Sequence, residues 1–274
     1  MLKLNKKTWL FLLLFIVLQI LLGNLYPDNF SKLDKIGLNF FFILVLIGLF
    51  VRSHKVVISL KPNNKILNWK YLIIIILVLL IYSIYSSNFL DYKNSSFSII
   101  LYTLFVAFIQ TLSEELIFRG ILLNDFLIKT KNLYKAVFYS AIFFGLIHLF
   151  SLTKTSDYVA VFNQVIMAFM AGVFFGALFV YCRNIYIIGF LHFLINIPAY
   201  FNRIIHSSNT ETIIDESVSV LETIFSSIGI ILIYSPLLYI GFFILKRIKK
   251  NNSFKIEPII ENSFSIKKNK KHTT

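Results

Sequence analysis

Glu114, Glu115, Arg119, His148 and His192 are the ionisable side chains that fall inside the long apolar stretches of this 274-residue sequence. A charge at the centre of a bilayer costs roughly 3 kcal/mol or more, so such residues face a protein interior and usually work there. Their spacing assigns partners. Glu115 and Arg119 stand at i and i+4 and share a helix face, where they can pair. Glu114 is turned about 100° from Glu115 along the helix. It can therefore point into a cavity while its neighbour braces Arg119. His192 and Asn196 repeat the i, i+4 spacing and set an imidazole beside an amide. Phe144 and His148 repeat it again, with the phenyl ring able to wall a site.

These groups are what hydrolysis of an amide needs when no covalent intermediate forms. A buried carboxylate can act as a general base. A neutral imidazole can hold the attacking water, or bind a metal that acidifies it. An imidazole and an amide can stabilise an oxyanion. The pattern E-E-x-x-x-R is expected by chance only about 0.003 times in this composition, whereas F-x-x-x-H and H-x-x-x-N are each expected about 0.4–0.5 times and inform mainly through order and depth. In that order, Glu114-Glu115-x-x-x-Arg119, Phe144-x-x-x-His148 and His192-x-x-x-Asn196 resemble the motifs of the CAAX-protease and bacteriocin-processing (CPBP, or Abi) family of intramembrane proteases, over about residues 97–200. The resemblance implies a membrane-embedded helical core. It also implies endoproteolysis near a substrate's C-terminus, or of a membrane-associated peptide. It assigns water activation to Glu114 and His148, the oxyanion site to His192 and Asn196, and orientation of the base to Glu115 and Arg119. Members are often called metalloproteases. Glu114, His148 and His192 would supply a three-ligand set for a divalent metal such as zinc, although the H-E-x-x-H spacing of soluble zinc proteases is absent.

The elements that must carry these residues are membrane helices. The chain is 57% hydrophobic, with 30 Phe and 14 Tyr, and only 15% charged, against about 25% in soluble domains. Eight apolar runs are expected to span a bilayer: 9–26, 36–51, 71–87, 97–123, 134–152, 159–182, 185–200 and 220–245. The first, preceded by Lys3, Lys6 and Lys7, looks like a signal sequence without a small-residue cleavage site and is expected to stay as a span. The fourth is longer than a crossing needs, and the seventh should stop or kink at Pro198. With eight spans, all but five of the 27 Lys and Arg residues fall on one side, the exceptions being Lys32, Lys35, Lys93, Lys154 and Arg203. That bias places both termini in the cytoplasm. It also makes the net charge of +14 a matter of orientation, and no nucleic-acid partner is expected.

The expected architecture is thus all-α, a polytopic membrane bundle of about eight helices. Residues 1–96 form the first three, 97–200 a protease core, 201–245 an outer loop and last helix, and 246–274 a basic cytoplasmic tail without fixed structure. One cysteine, Cys182, excludes an intrachain disulfide and reads as an apolar filler. Gln110, Asn163 and Gln164 read as hydrogen-bond glue between helices. One tension stands in the depths: counted from the inner boundary, Glu114 and His192 lie about 12–14 Å deep and His148 about 20 Å. The expected partners are the bilayer and a membrane-associated peptide or protein. The Lys/Asn/Ile-rich composition suggests an AT-rich bacterium and favours a peptide precursor over a prenylated substrate. Two rival functions are a non-catalytic scaffold or bacteriocin-immunity protein of the same fold, and a proton-coupled transporter using Glu and His as a relay. A second helix-borne acid and a repeated pair of broken helices, which a transporter would want, are not apparent.

Overall fold

The computed structural model describes residues 69–86, 97–153, 156–208 and 220–250, with scattered helical positions between 6 and 48. The expected spans 9–26 and 36–51 and the tail beyond 250 therefore lie largely or wholly outside the described residues. What is described is helical, and no strand occurs among the described residues. The helices are α1 (Trp69–Ser86), α2 (Phe97–Glu115), α3 (Asn124–Thr130), α4 (Leu133–Leu146), α5 (Tyr158–Cys182), α6 (Ile185–Ser208) and α7 (Val220–Lys250). A π-helical segment, Leu116–Leu123, joins α2 to α3 without a break, and a 3-10 segment, Ile147–Thr153, extends α4. Four stretches are long and apolar enough to cross a membrane: Ile100–Thr130, Leu133–Leu152, Tyr158–Cys182 and Ile224–Lys250. A shorter apolar helix, Ile185–Phe201, joins them. The chain is a helical membrane bundle.

Local chemistry explains where these helices begin and end. Asn132 accepts from the Lys135 amide (3.1 Å) and opens α4. Asp157 accepts from the Ala160 amide (2.8 Å) and opens α5. The Asn184 carboxamide accepts from the amides of Tyr186 (2.9 Å) and Ile187 (3.0 Å) and opens α6. Each satisfies donors that a first helical turn leaves without partners. Lys131 and Arg183 take left-handed conformations (φ 48° and 54°) at the ends of α3 and α5, where glycine is the usual occupant. Of the two outcomes expected at Pro198, a stop or a kink, the stop does not occur: α6 runs through it to Ser208. Proline removes one backbone donor, and Tyr200 and Phe201 beyond it are buried, so packing continues past the missing bond.

Glycines set the helices at close range. A methyl group at Gly172 of α5 would fall 3.1 Å from Ala141 of α4 and 3.3 Å from Phe144 Cδ1, and one at Gly176 would fall 3.1 Å from Val137. Gly145 of α4 lies as near to Val165 and Phe169. Small residues at such positions let backbones approach in a membrane, where lipid is as apolar as leucine. These pairs run in opposite senses along α4 and α5, so the two helices are antiparallel. Gly241 of α7 meets Val173 and Phe174, while Asn163 of α5 is bonded to Ser226 and Ser227 of α7. These contacts progress in the same sense, so α5 and α7 are parallel. Thr111 meets Asn196 and, one turn farther along α2, Glu115 meets His192, one turn earlier on α6, which makes α2 and α6 antiparallel. These directions are those of strictly alternating crossings. α5 lies at the centre, with residues 171–180 all buried, and α7 turns Phe225, Leu232, Ile233 and Tyr239 outward.

Candidate active site

The site begins where α2 changes winding. Glu115 is the last α-helical residue, and the π-helical segment that follows carries Arg119. Residues Ile117 to Leu123 are all buried, which requires neighbours around the whole circumference. A π-helical turn inserts an extra residue into the winding and recurs at functional sites. Two side chains bond to its carbonyls. Ser140 Oγ of α4 donates to Phe118 O (2.9 Å), and Asn124 Nδ2 donates to Gly120 O (2.7 Å).

Arg119 Nη1 donates to Glu115 Oε1 at 2.7 Å, with the two side chains 1% and 0% exposed. The pair expected from the spacing is formed. The same carboxylate oxygen also receives His192 Nδ1 of α6 at 2.7 Å. A carboxylate beside a guanidinium accepts, so Nδ1 carries the proton and Nε2 presents a lone pair. That lone pair meets Asn196 Nδ2 at 3.1 Å. Arg119, Glu115, His192 and Asn196 thus form one buried chain of hydrogen bonds across α2 and α6. Glu115 Oε2 and Arg119 Nη2 are buried and make no hydrogen bond among the described residues, which leaves one acceptor and one donor for a water or a substrate.

Phe144 unites the three motifs. Its ring lies under the Arg119 guanidinium, with Cζ 4.3 Å from the centroid. The His148 and His192 rings meet it edge-on at 5.5 and 5.7 Å. Phe175 of α5 flanks His192 at 4.8 Å between ring centroids and Arg119 at 5.7 Å. A desolvated cation over a ring contributes about 2 kcal/mol. Because both imidazoles touch one phenyl ring, the depth difference counted along the sequence does not separate them into different sites. His148 sits in the 3-10 segment after α4, partly buried.

Glu114 is partly buried and accepts from Gln110 Nε2 at 3.3 Å. Gln110, expected only as glue, therefore holds the second acid of the pair. Thr111 is buried, donates to Ala107 O (2.8 Å) and accepts from Asn196 Nδ2 (3.4 Å). Sequence reasoning passed over Thr111, Phe175 and Ser140. The signal for the first was present, since Thr111 precedes Glu115, as Gln110 precedes Glu114, by one helical turn. Asn163 does bridge helices as expected, and Cys182 is buried at the end of α5.

The set Glu114, His148 and His192 does not fit a metal in this arrangement. Among the described residues no three His, Cys, Asp or Glu side chains gather closely enough to hold an ion. Both ring nitrogens of His192 are already engaged by Glu115 and Asn196.

Residues 96–198 match the family model described as "Type II CAAX prenyl endopeptidase Rce1-like". No curated protein and no solved structure matches the chain. The matched stretch contains all seven motif positions and agrees with the family resemblance read from them. The description is that of a family of endopeptidases.

Proposed function

We propose that this protein is an intramembrane endopeptidase that cleaves a membrane-associated peptide or protein near its C-terminus by attack of water. The reading is carried by one observation: the Arg119–Glu115–His192–Asn196 chain, capped by Phe144, gathers residues of all three motifs at membrane depth. The match to a CAAX-type endopeptidase family supports it.

In the proposed reaction Glu114 takes a proton from a water oriented by His148, and the water oxygen bonds to the scissile carbonyl carbon. The carbonyl oxygen becomes an oxyanion and accepts an N–H of Asn196. Glu114 then passes its proton to the leaving nitrogen as the oxyanion collapses to a carbonyl and the C–N bond breaks, giving a carboxylic acid and an amine. The base begins and ends ionised, so no covalent intermediate or external co-reactant is needed. Glu115 is spent on Arg119 and His192. It fixes the imidazole, which in turn presents Nε2 to the Asn196 amide and orients it. A single donor aimed at an oxyanion contributes about 2.7–4 kcal/mol to such reactions. No step passes through a metal, because the donor set does not gather for one.

Terminal proteomics of host membranes carrying the wild-type chain or Glu114→Gln tests this reading. New C-termini that disappear in the variant, with equal protein abundance, are expected, and they name the substrate. The purified full chain in liposomes, given quenched fluorescent peptides ending in a prenylated or an unprenylated CAAX sequence, then tells the two substrate classes apart. A Glu114→Gln protein that cleaves at the wild-type rate removes the proposed base. One that keeps its full biological effect without cleavage makes the protein a scaffold.

A further inference from the structure

The Asn196 amide has two N–H bonds, and both have partners in this structure. One meets the lone pair of His192 Nε2 at 3.1 Å. The other meets Thr111 Oγ1, 85 residues earlier on α2, at 3.4 Å. Thr111 is fully buried, and its own proton is fixed on Ala107 O at 2.8 Å, so the oxygen can only accept from the amide. The two contacts define the amide plane, one from α6 itself and one from across the site. They differ in strength. The bond to Thr111 is near the long limit for a hydrogen bond, and a charged oxygen is a much better acceptor than a hydroxyl.

We propose that Thr111 is a positioning residue of the site, whose hydroxyl keeps one Asn196 N–H aimed across the gap between α2 and α6 until the developing oxyanion replaces it. The proposal rests on Asn196 as the oxyanion donor. Without the hydroxyl the amide is held at one edge only and must be ordered during the reaction, which costs rate and leaves ground-state binding unchanged.

The test uses the full chain in liposomes and whichever of the two quenched CAAX peptides is cleaved. Thr111→Val removes the hydroxyl at nearly constant shape, and Thr111→Ala removes it without added bulk should valine disturb the helix. Either should lower kcat roughly five- to tenfold, the worth of one lost positioning bond, with KM unchanged. Thr111→Ser should restore kcat to within about twofold. In an Asn196→Ala background the Thr111 variants should cause no further loss, because the group they act through is gone. Wild-type or raised kcat in Thr111→Val and Thr111→Ala overturns the proposal, as does a loss that persists undiminished in Asn196→Ala. If Asn196→Ala itself cleaves at the wild-type rate, the oxyanion assignment beneath it falls as well. If Asn196→Ala is slow and the Thr111 variants are not, Thr111 alone is wrong.

Discussion

Glu114 and Glu115 are adjacent, yet their surroundings divide them. Glu115 is fully buried and bonded to a guanidinium and an imidazole, while Glu114 is partly buried and accepts from the Gln110 amide. Substituting one should therefore not resemble substituting the other. Glu114→Gln keeps shape and the Gln110 contact and is expected to abolish cleavage while the protein accumulates normally, as judged by product release and by abundance in the membrane fraction. Arg119→Ala strands a buried carboxylate. Breaking one partner out of a buried pair costs about 3–5 kcal/mol, which is a large part of the stability of most domains. Abundance and activity should fall together in an immunoblot and a cleavage assay. Normal values of both would mean that the pair contributes little. The division between the two acids was visible in the sequence, because Arg119 lies one turn from Glu115. The link from Glu115 to His192 was not, since a bond between helices 77 residues apart follows no local period.

The π-helical segment explains why the element scale was harder to foresee. Hydropathy marks residues 97–123 as one long apolar span, and it cannot register a change of winding inside it. The segment depends on tertiary contacts, with Ser140 of α4 bonded to Phe118 O. Ser140→Ala leaves a buried carbonyl without that donor, at a cost of about 1–3 kcal/mol. It should lower the melting temperature of the detergent-solubilised protein and reduce kcat, because Arg119 follows Phe118 directly. A variant that melts like the wild type and cleaves at the same rate would show that the winding does not need Ser140. Pro198 misled in the opposite direction. Its local effect on the backbone is real, but burial of the residues after it decides whether the helix continues. The helix starts at Asn132, Asp157 and Asn184, by contrast, follow from capping chemistry that the sequence displays openly.

At the scale of the bundle, the contact directions among the described helices agree with the order of crossings that the apolar runs imply. α4 is antiparallel to α5, α5 is parallel to α7, and α2 is antiparallel to α6. These directions do not say which side is which; the clustering of basic residues in the sequence leads us to propose that both termini lie on the cytoplasmic side. Reporter enzymes that work only in the cytoplasm should be active when fused at either end, and a reporter that works only outside should be silent at both. Opposite results at the two ends would require an odd number of crossings. The bundle as a class was legible from composition because lipid demands long apolar helices. Which faces meet was not, because glycine seats such as Gly172 against Phe144 depend on shape rather than polarity. The seating of α7 has a consequence of its own. Asn163 grips it near one end and Val173 and Phe174 receive Gly241 farther along, so its register against α5 is fixed at two separate places. Both anchors lie on one partner helix, so a slip of α7 along α5 by a single turn would break the amide–hydroxyl grip and the glycine seat together.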